Sequence, residues 1–204
     1  VAENTLMAVY KPQRGERPLW DFPDGTLCFR ERAAFLTSEA LGWDLVPPTV
    51  LREGPHGLGS VQFFIDHDPN HHYFEFDVSM MPQLMRLALF DYLINNADRK
   101  GGHCIVDCRG RLWGIDHGIS FHAAHKLRTV IWDFAGQPAP EDLLADVEAF
   151  SRQVADPDSA YRQEMRSLIS AAEVESLARR TRRVLEKRAY PVPGPGPNQP
   201  WPPV

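Results

Sequence analysis

Residues 95–118 of this 204-residue chain, NNADRKGGHCIVDCRGRLWGIDHG, indicate its fold more clearly than any other segment. It opens with a polar loop that carries Asp98, continues through two short apolar runs around an Arg-Gly turn, and ends in a polar segment at Asp116. Two apolar runs separated by a Gly-containing turn are typical of a β-hairpin. The sequence therefore predicts strands over 104–107 and 111–115, with one aspartate at each side of the hairpin's open end.

The residues just before this hairpin predict a central helix. Residues 80–95 are apolar on nearly every side of a helical projection, which is typical of a helix buried all round. The preceding segment, 66–77, is polar and rich in histidine and is expected to be a loop between two lobes.

The first part of the chain predicts a small sheet with one helix. Each residue before a proline is kept out of the helical region, which makes 46–51 extended, and Gly54, Gly57 and Gly59 are interpreted as a turn. The expected elements are a strand at 6–11, a helix at 28–41, the extended segment at 46–51 and a strand at 60–65.

The last part of the chain predicts helices and a proline-rich tail. Helices are expected at 140–154, 159–170 and 171–188, the last one starting with Ser170 and Glu173 at capping-box spacing. Residues 191–204 contain seven prolines and are expected to be extended or disordered. Together these elements predict an α+β fold with a small lobe over 1–65, a mainly helical large lobe over 66–190 and a tail over 191–204.

Composition limits the classes of function. The chain is 43% hydrophobic with a net charge of −5, and its only basic block is on the helix after Ala178, which disfavours nucleic-acid binding. Three cysteines without framework spacing predict free thiols in a reducing compartment. No apolar run reaches the roughly 18 residues that a membrane-spanning helix needs. These features predict a cytoplasmic protein without a transmembrane segment.

Asp98 and Asp116 on one wall of a cleft suit phosphoryl transfer. That reaction needs one carboxylate to orient the attacking hydroxyl and another to hold a metal ion on the nucleotide phosphates. It also needs a lysine on the phosphates and a glutamate that holds this lysine. Lys11 at a strand end and Glu31 on the following helix occur in the expected order.

Five motifs carry a resemblance to a known family. They are Ala8-Val9-Tyr10-Lys11-Pro12, the segment 30–36, the segment 46–49, Asp98-Arg99 and the segment 115–121. The chain resembles the phosphatidylinositol 3- and 4-kinase superfamily, especially its compact type II branch and an actinobacterial branch that ends in Pro-Trp-Pro-Pro, as residues 200–203 do. The resemblance covers about residues 6–121 and the tail.

The resemblance implies a two-lobed, protein-kinase-like fold and transfer of the ATP γ-phosphate with Mg²⁺ or Mn²⁺. The acceptor would be a hydroxyl group on a lipid, a protein or a small molecule. The implied roles are phosphate contact for Lys11, pairing with Lys11 for Glu31, an adenine hinge formed by Gln62, Phe63, Phe64 and Ile65, catalysis for Asp98 and metal binding for Asp116.

Two departures from the family pattern bear on activity. The family places an asparagine five residues after the catalytic aspartate, and this chain has His103, which would have to serve as the second metal ligand. Mg²⁺ prefers oxygen ligands, whereas imidazole suits transition metals. No phosphate-binding loop is recognisable before Lys11. The alternative is a catalytically silent nucleotide-binding module or scaffold.

Three further patterns leave alternatives open. His103, His117, His122 and His125 could join Asp116 in a transition-metal site, as in a metal-dependent hydrolase. The aromatic pair in the loop 14–23 could cap the cleft or simply pack the small lobe. The arginine-rich helix after Ala178 could be a solvated face or could bind an anionic lipid surface.

Overall fold

The computed structural model describes residues 6–204. A small antiparallel sheet with one helix forms its first part, up to Phe63. The strands are β1 (Ala8–Pro12), β2 (Thr49–Gly54) and β3 (Gly57–Phe63), with β3 in the middle. Helix α1 (Leu27–Ala40) packs against β2 and β3. The Glu16 carboxylate accepts the N–H groups of Leu27 and Cys28 and so caps this helix, because the first turn has no internal acceptor for them.

The glycines before the predicted strand 60–65 do not all form a turn. Gly57 and Gly59 belong to β3, which begins three residues earlier than predicted, and the turn itself lies between Gly54 and Gly57. A Cβ atom on Gly59 would lie 2.5 Å from the Lys11 carbonyl oxygen. Glycine is therefore needed here for the close approach of β1 and not for a turn.

The large lobe is built around a central apolar helix, as predicted. Helix α2 (Met81–Ile94) contains five apolar side chains that are fully buried: Leu87, Leu89, Phe90, Leu93 and Ile94. The predicted hairpin follows it as β4 (Cys104–Val106) and β5 (Leu112–Gly114), which pair antiparallel. Polar loops connect these elements at the end of the hairpin that faces the small lobe's Lys11.

Three helices complete this lobe: α3 (Glu141–Ala155), α4 (Ala160–Leu168) and α5 (Ala171–Lys187). Their apolar faces bury Val147, Phe150, Met165 and Leu177 against α2 and one another. The predicted capping box at the start of α5 is confirmed, because Ser170 Oγ accepts the Glu173 N–H while the Glu173 carboxylate accepts the Ser170 N–H.

The tail 191–204 has no helix or strand, as expected, but it lies against the large lobe. The Asn198 carbonyl accepts from the Thr129 N–H at 3.0 Å and from the Trp132 indole at 3.0 Å. The Pro203 carbonyl accepts the Gly101 N–H at 2.8 Å. These hydrogen bonds satisfy donors of the large lobe, so the tail is part of the folded structure, and of the two expected states, extended or disordered, the disordered one does not apply.

The mixture of a small sheet lobe with a mainly helical lobe confirms the predicted α+β class. Cys28 and Cys104 are buried free thiols, whereas Cys108 is exposed. Across residues 6–204, none of the helices has the length and apolar character that a bilayer crossing requires.

Candidate active site

The Lys11 ammonium lies between two carboxylates that come from distant parts of the chain. Its Nζ is 2.6 Å from Glu31 Oε1 on α1 and 3.0 Å from Asp116 Oδ1 after β5. The Glu31 side chain is 3% exposed, that of Lys11 35% and that of Asp116 50%. The structure therefore brings together three residues that the sequence predicted, with a buried end and an end that opens to solvent.

Glu31 connects this lysine to the large lobe through its second oxygen. Glu31 Oε2 accepts the backbone N–H of His117 at 3.1 Å. A carboxylate that is buried must have its oxygens hydrogen-bonded to keep its charge, and here a lysine and a backbone amide do this. The position of β1 is thereby tied to the segment that follows β5.

The charges of the cluster set its protonation. Burial lowers the pKa of Lys11, but the charges of Glu31 and Asp116 outweigh this effect, and the pKa is raised above its ordinary value. Burial raises the pKa of Glu31, and the Lys11 charge offsets this only in part. For Asp116, burial is outweighed by Lys11 and His103, so its pKa is lowered. Lys11 stays a cation and Asp116 an anion at neutral pH.

Asp116 has an unusual backbone conformation. Its φ angle is +60°, in the left-handed region that non-glycine residues rarely occupy. Such a conformation costs about 1–3 kcal/mol and is retained where surrounding contacts fix it. It directs the carboxylate to Lys11 Nζ on one side and to His103 Nε2, 3.3 Å from Oδ2, on the other.

His103 presents an unprotonated nitrogen to Asp116. Its Nδ1 lies 3.0 Å from the Asp98 carbonyl oxygen, which can only accept, so the imidazole proton is assigned to Nδ1. Burial is the main cause that lowers the pKa of His103 to about 4. The neutral ring thus turns the lone pair of Nε2 towards Oδ2 of Asp116. Two acceptors facing each other at this distance suit a shared cation.

Asp98 lies on the same loop, on the other side of His103. Burial raises the pKa of its carboxyl group, the charge of Asp116 adds to this effect, and the charges of Lys100 and Arg128 oppose it. Its backbone N–H donates to Asn96 Oδ1 at 3.0 Å, which fixes the start of the loop. The two predicted aspartates are therefore close enough to influence each other electrostatically.

A buried network beneath the site includes residues that sequence reasoning missed. Arg99 is fully buried and forms a bidentate pair with Asp91 of α2, at 2.8 Å and 2.9 Å. Its Nη1 donates to the carbonyls of His103 and Ile115, and its Nη2 donates to His117 Nε2 at 2.6 Å. One guanidinium therefore holds both loops that carry the aspartates. The available signal was Asp91, an acidic residue in a mostly apolar helix.

Space for this network depends on a glycine of β5. A Cβ atom on Gly114 would lie 3.2 Å from Arg99 Nη2 and 3.3 Å from His117 Nε2. Both distances are tighter than ordinary packing of a buried core allows. Gly114 thus permits Arg99 and His117 to meet under the strand.

The predicted hinge has one side chain that points elsewhere. Gln62 is buried, and its amide donates to Thr49 Oγ1 at 2.9 Å within the sheet. Phe63 is the last residue of β3 and is exposed, Phe64 is half-buried, and Ile65 is buried. In this arrangement a ligand beside residues 62–65 would meet the backbone and the phenylalanine rings, and not the Gln62 amide.

The alternative transition-metal site is not formed. His117 Nε2 bonds to Arg99, His122 Nδ1 accepts the Ala124 N–H, and no group of three or more metal-binding side chains occurs within the part of the chain that the structure describes. The two aromatic residues of the loop 14–23 differ in their exposure to solvent. Phe22 is buried beneath the Arg30 guanidinium, whereas Trp20 is exposed beside Lys126.

No protein-family model matches the sequence. Protein Rv2133c of Mycobacterium tuberculosis (strain ATCC 25618 / H37Rv) is 38% identical over 233 residues, an alignment that covers 97% of this chain and 83% of the relative. Identity at this level over nearly the whole of both chains indicates a common fold and a common family.

Two solved structures are similar in fold. The Golgi casein kinase with Mn and ADP bound gives a TM-score of 0.53 at 14% identity, covering 91% of this chain and 68% of that chain. Hydra Fam20 solved with sugar gives 0.50 at 14% identity, covering 92% and 79%. The chain therefore has a kinase-like fold. These similarities support that broad class and do not single out the phosphatidylinositol kinases within it.

Proposed function

This chain belongs to the same protein family as Rv2133c of Mycobacterium tuberculosis, and we propose that it is an atypical kinase that transfers the γ-phosphate of ATP to a hydroxyl group. The observation that carries the proposal is the position of Lys11 Nζ, 2.6 Å from Glu31 and 3.0 Å from Asp116. In protein kinases a strand lysine must pair with a helix glutamate, and a metal-binding aspartate must be in place beside them. A shared fold alone would not support an activity, but this set of side chains does.

Lys11 is proposed to bind the nucleotide phosphates, and Glu31 is proposed to hold the Lys11 ammonium in place. The raised pKa of Lys11 keeps its ammonium charged, and the buried Glu31 holds the ammonium at the cleft side of β1. The backbone of residues 62–65 at the end of β3 is the proposed hinge for the adenine. In this proposal the base lies beside the end of β3, and the phosphates lie beside Lys11 near the end of β1.

Asp116 and His103 are proposed to hold a divalent cation, which would neutralise the developing charge on the transferred phosphoryl group. Their facing acceptor atoms, Oδ2 and Nε2, fit such an ion. A magnesium-type site in a kinase uses few protein ligands and takes the rest from phosphates and water, consistent with a pair here in place of a larger cluster. The imidazole favours Mn²⁺ over Mg²⁺. The Golgi casein kinase of similar fold was solved with Mn and ADP.

Asp98 is proposed to orient the acceptor hydroxyl. Its raised pKa makes the carboxylate a better proton acceptor than an ordinary aspartate, and the loop around it is fixed by Asn96 and Arg99. The acceptor is a hydroxyl on a lipid, protein or small molecule. The motif resemblance to phosphatidylinositol 3- and 4-kinases supports a lipid, and the similarity to the Golgi casein kinase supports a protein.

The test is metal-dependent ADP formation by the purified chain with ATP and either Mn²⁺ or Mg²⁺. Lys11→Met and Asp98→Asn should each lower the rate about 100-fold or more, as removal of one charged catalytic group typically does. Asp158→Asn is the matched control, because Asp158 is exposed in the loop before α4. Its rate should equal that of the wild type.

The same experiment addresses the silent alternative, which His103 in place of asparagine favours. ATP binding by calorimetry without turnover under either metal would leave a nucleotide-binding scaffold as the function. No ATP binding at all, with Lys11→Met indistinguishable from wild type, would reject both.

A further inference from the structure

A large cavity lies on the far end of α5, away from the Lys11 cluster. It has a volume of about 790 Å³, is open to solvent on one side, and is lined by α5, by the end of α2 and by the first residues of the tail. Ligand sites for small organic molecules have volumes of about 300–1,000 Å³. The cavity is therefore large enough for a molecule of nucleotide size.

One wall of this cavity carries four cations. Arg179, Arg180, Arg183 and Lys187 all line it. The spacing of three, four and eight residues places them on one face of α5. No aspartate or glutamate lines the cavity, and none of the four side chains pairs with a carboxylate of residues 6–204. The wall thus has a strong positive charge that the described chain does not neutralise.

Arg180 has a buried hydrogen-bond donor without a partner. Its Nε donates to the Leu93 carbonyl at the end of α2, at 2.7 Å, which fixes the direction of the guanidinium. Its Nη2 is buried and has no hydrogen-bond partner among the described residues. Burial is the main cause that lowers the pKa of Arg180 to about 10. An unsatisfied charged donor of this kind is costly, and Arg180 is one of the residues that line the cavity.

The other walls are mainly apolar. Tyr92 and Val184 come from the helices, Tyr190 comes from the segment just before the tail, and Pro191 and Val192 come from the start of the tail. A ligand here would meet cations on one side and rings or aliphatic groups on the other.

We propose that this cavity binds a phosphorylated organic molecule, with its phosphate group on Arg179, Arg180 and Arg183 and its organic part against the tail. Arginine matches the geometry of phosphate oxygens and forms charge-assisted hydrogen bonds with them. The cavity shares no residue with Lys11, Glu31, Asp98, His103 or Asp116. The site is a second one, and it does not depend on the proposed kinase activity.

The first experiment measures binding of pyrophosphate by calorimetry in EDTA, which prevents metal-dependent binding at the Lys11 cluster. Arg183→Gln should weaken binding about 10-fold to 100-fold, the effect of one charge-assisted hydrogen bond. Arg182→Gln is the matched control, since it removes the same charge from the adjacent position of α5, which is exposed and does not line the cavity. Arg182→Gln should leave the affinity nearly unchanged, and so should Lys11→Met.

A second arm distinguishes a free phosphate compound from a lipid headgroup. Sedimentation with phosphatidylcholine vesicles that contain phosphatidic acid tests the lipid source, with pure phosphatidylcholine vesicles as the blank. Binding of either probe that Arg183→Gln weakens and Arg182→Gln does not supports the proposal and identifies the source. It is overturned if neither probe binds, if the two variants weaken binding equally, or if Lys11→Met abolishes pyrophosphate binding.

Discussion

Lys11 is the residue on which the candidate site depends, because its ammonium contacts a carboxylate from each lobe. Glu31 holds it from the buried side, and Asp116 holds it from the solvent side. Under the proposed function, the nucleotide phosphates would contact Lys11 in place of Asp116, and a divalent cation would contact Asp116 in place of Lys11. Neither charge would then be left unpaired.

The proposed metal site predicts that His103 sets the preference between Mn²⁺ and Mg²⁺. His103→Asn replaces an imidazole nitrogen with an amide oxygen, which suits Mg²⁺ better than Mn²⁺. We expect the ratio of ADP formation rates in Mn²⁺ and Mg²⁺ to fall at least about tenfold in this variant, a typical effect of changing groups around a metal. His56→Asn, in the exposed β2–β3 turn, is the control. A ratio that stays constant in His103→Asn would show that His103 is not a metal ligand.

The buried His117 predicts a loss of stability in acid. Burial and then the Arg99 charge lower its pKa well below 6.5, so the folded state keeps it neutral while the unfolded state binds a proton as the pH falls below 6.5. The free energy of unfolding therefore decreases with falling pH, and from pH 7 to pH 5 this one residue contributes about 2 kcal/mol of the decrease.

His117→Gln tests this contribution, because the glutamine oxygen can still accept from Arg99. Urea unfolding in EDTA at pH 7 and pH 5 should give a difference about 2 kcal/mol smaller in His117→Gln than in the wild type. His56→Gln should give the wild-type difference. Equal differences in all three proteins would mean that His117 titrates in the folded state as it does in the unfolded state.

The order of the motifs along the chain predicted that Lys11 pairs with Glu31, and the structure contains this ion pair. Asp116 lies beside them, and the roles of the three residues in a reaction stay predictions. Arg99 and Asp91 could not be assigned in the same way, because a bidentate pair depends on the angle between a helix and a loop, which no spacing encodes. The φ angle of +60° at Asp116 is likewise imposed by surrounding contacts and not by the local sequence.

Among the elements, α1 and α5 are linked by a buried ion pair next to the site. Arg30 Nη1 lies 2.8 Å from Glu173 Oε1 at the start of α5 and donates to the Ser120 carbonyl at 2.7 Å. Arg30→Met would leave both acceptors buried without this donor, which costs about 3–5 kcal/mol. Urea unfolding measures the loss. Arg152→Met breaks an exposed pair within α3 and should cost less than about 1 kcal/mol. Comparable losses would show that Arg30 contributes no more than a surface pair.

The tail is joined to the loop 98–103 by the hydrogen bond from Gly101 N–H to the Pro203 carbonyl. Deletion of residues 200–204 removes this acceptor. We expect hydrogen exchange of the Gly101 amide to become about tenfold faster, as loss of one hydrogen bond implies. The Ala97 amide, bonded to the Ile119 carbonyl at 2.9 Å, is an internal control and should keep its rate. Acceleration of both amides would indicate general destabilisation, and acceleration of neither would show that the tail does not protect this loop.

The helices and strands were predicted well where the hydrophobic periodicity is strong. They were predicted less well where a glycine could be either a turn residue or a strand residue. The buried helix and the hairpin appear close to the predicted bounds, because apolar runs of these lengths have few alternatives. Gly59 was interpreted as a turn residue, yet it lies within β3 and permits the close approach of β1, whereas Gly57 directly follows the turn with a φ angle of +92°. The tail was expected to be extended or disordered. Its order was not predicted, because it comes from the carbonyl groups of Asn198 and Pro203, which accept from donors far away in sequence.

At the scale of the whole molecule, the small sheet is joined to the helical lobe by polar contacts that converge on one region. Lys11 to Asp116, Glu31 to His117 and Arg30 to Ser120 all connect the first 40 residues to the segment 116–120. This segment follows the hairpin and precedes the residues that line the second cavity, His125 among them. A ligand that binds across the cleft would therefore stabilise both lobes together.

This coupling predicts that ATP with Mn²⁺ raises the melting temperature in a single transition. A ligand at 100 times its Kd adds about 2.7 kcal/mol to the folded state, and about 2–4 °C per kcal/mol is typical for a chain of this size, which gives a shift of about 5–10 °C. Differential scanning calorimetry measures both the shift and the number of transitions. Lys11→Met should lose the shift, because the phosphates lose their cation, whereas Arg183→Gln should keep it, because that residue lines the other cavity. A shift confined to one of two separate transitions would contradict binding between the lobes. Loss of the shift in Arg183→Gln but not in Lys11→Met would place the nucleotide at the cavity beside α5.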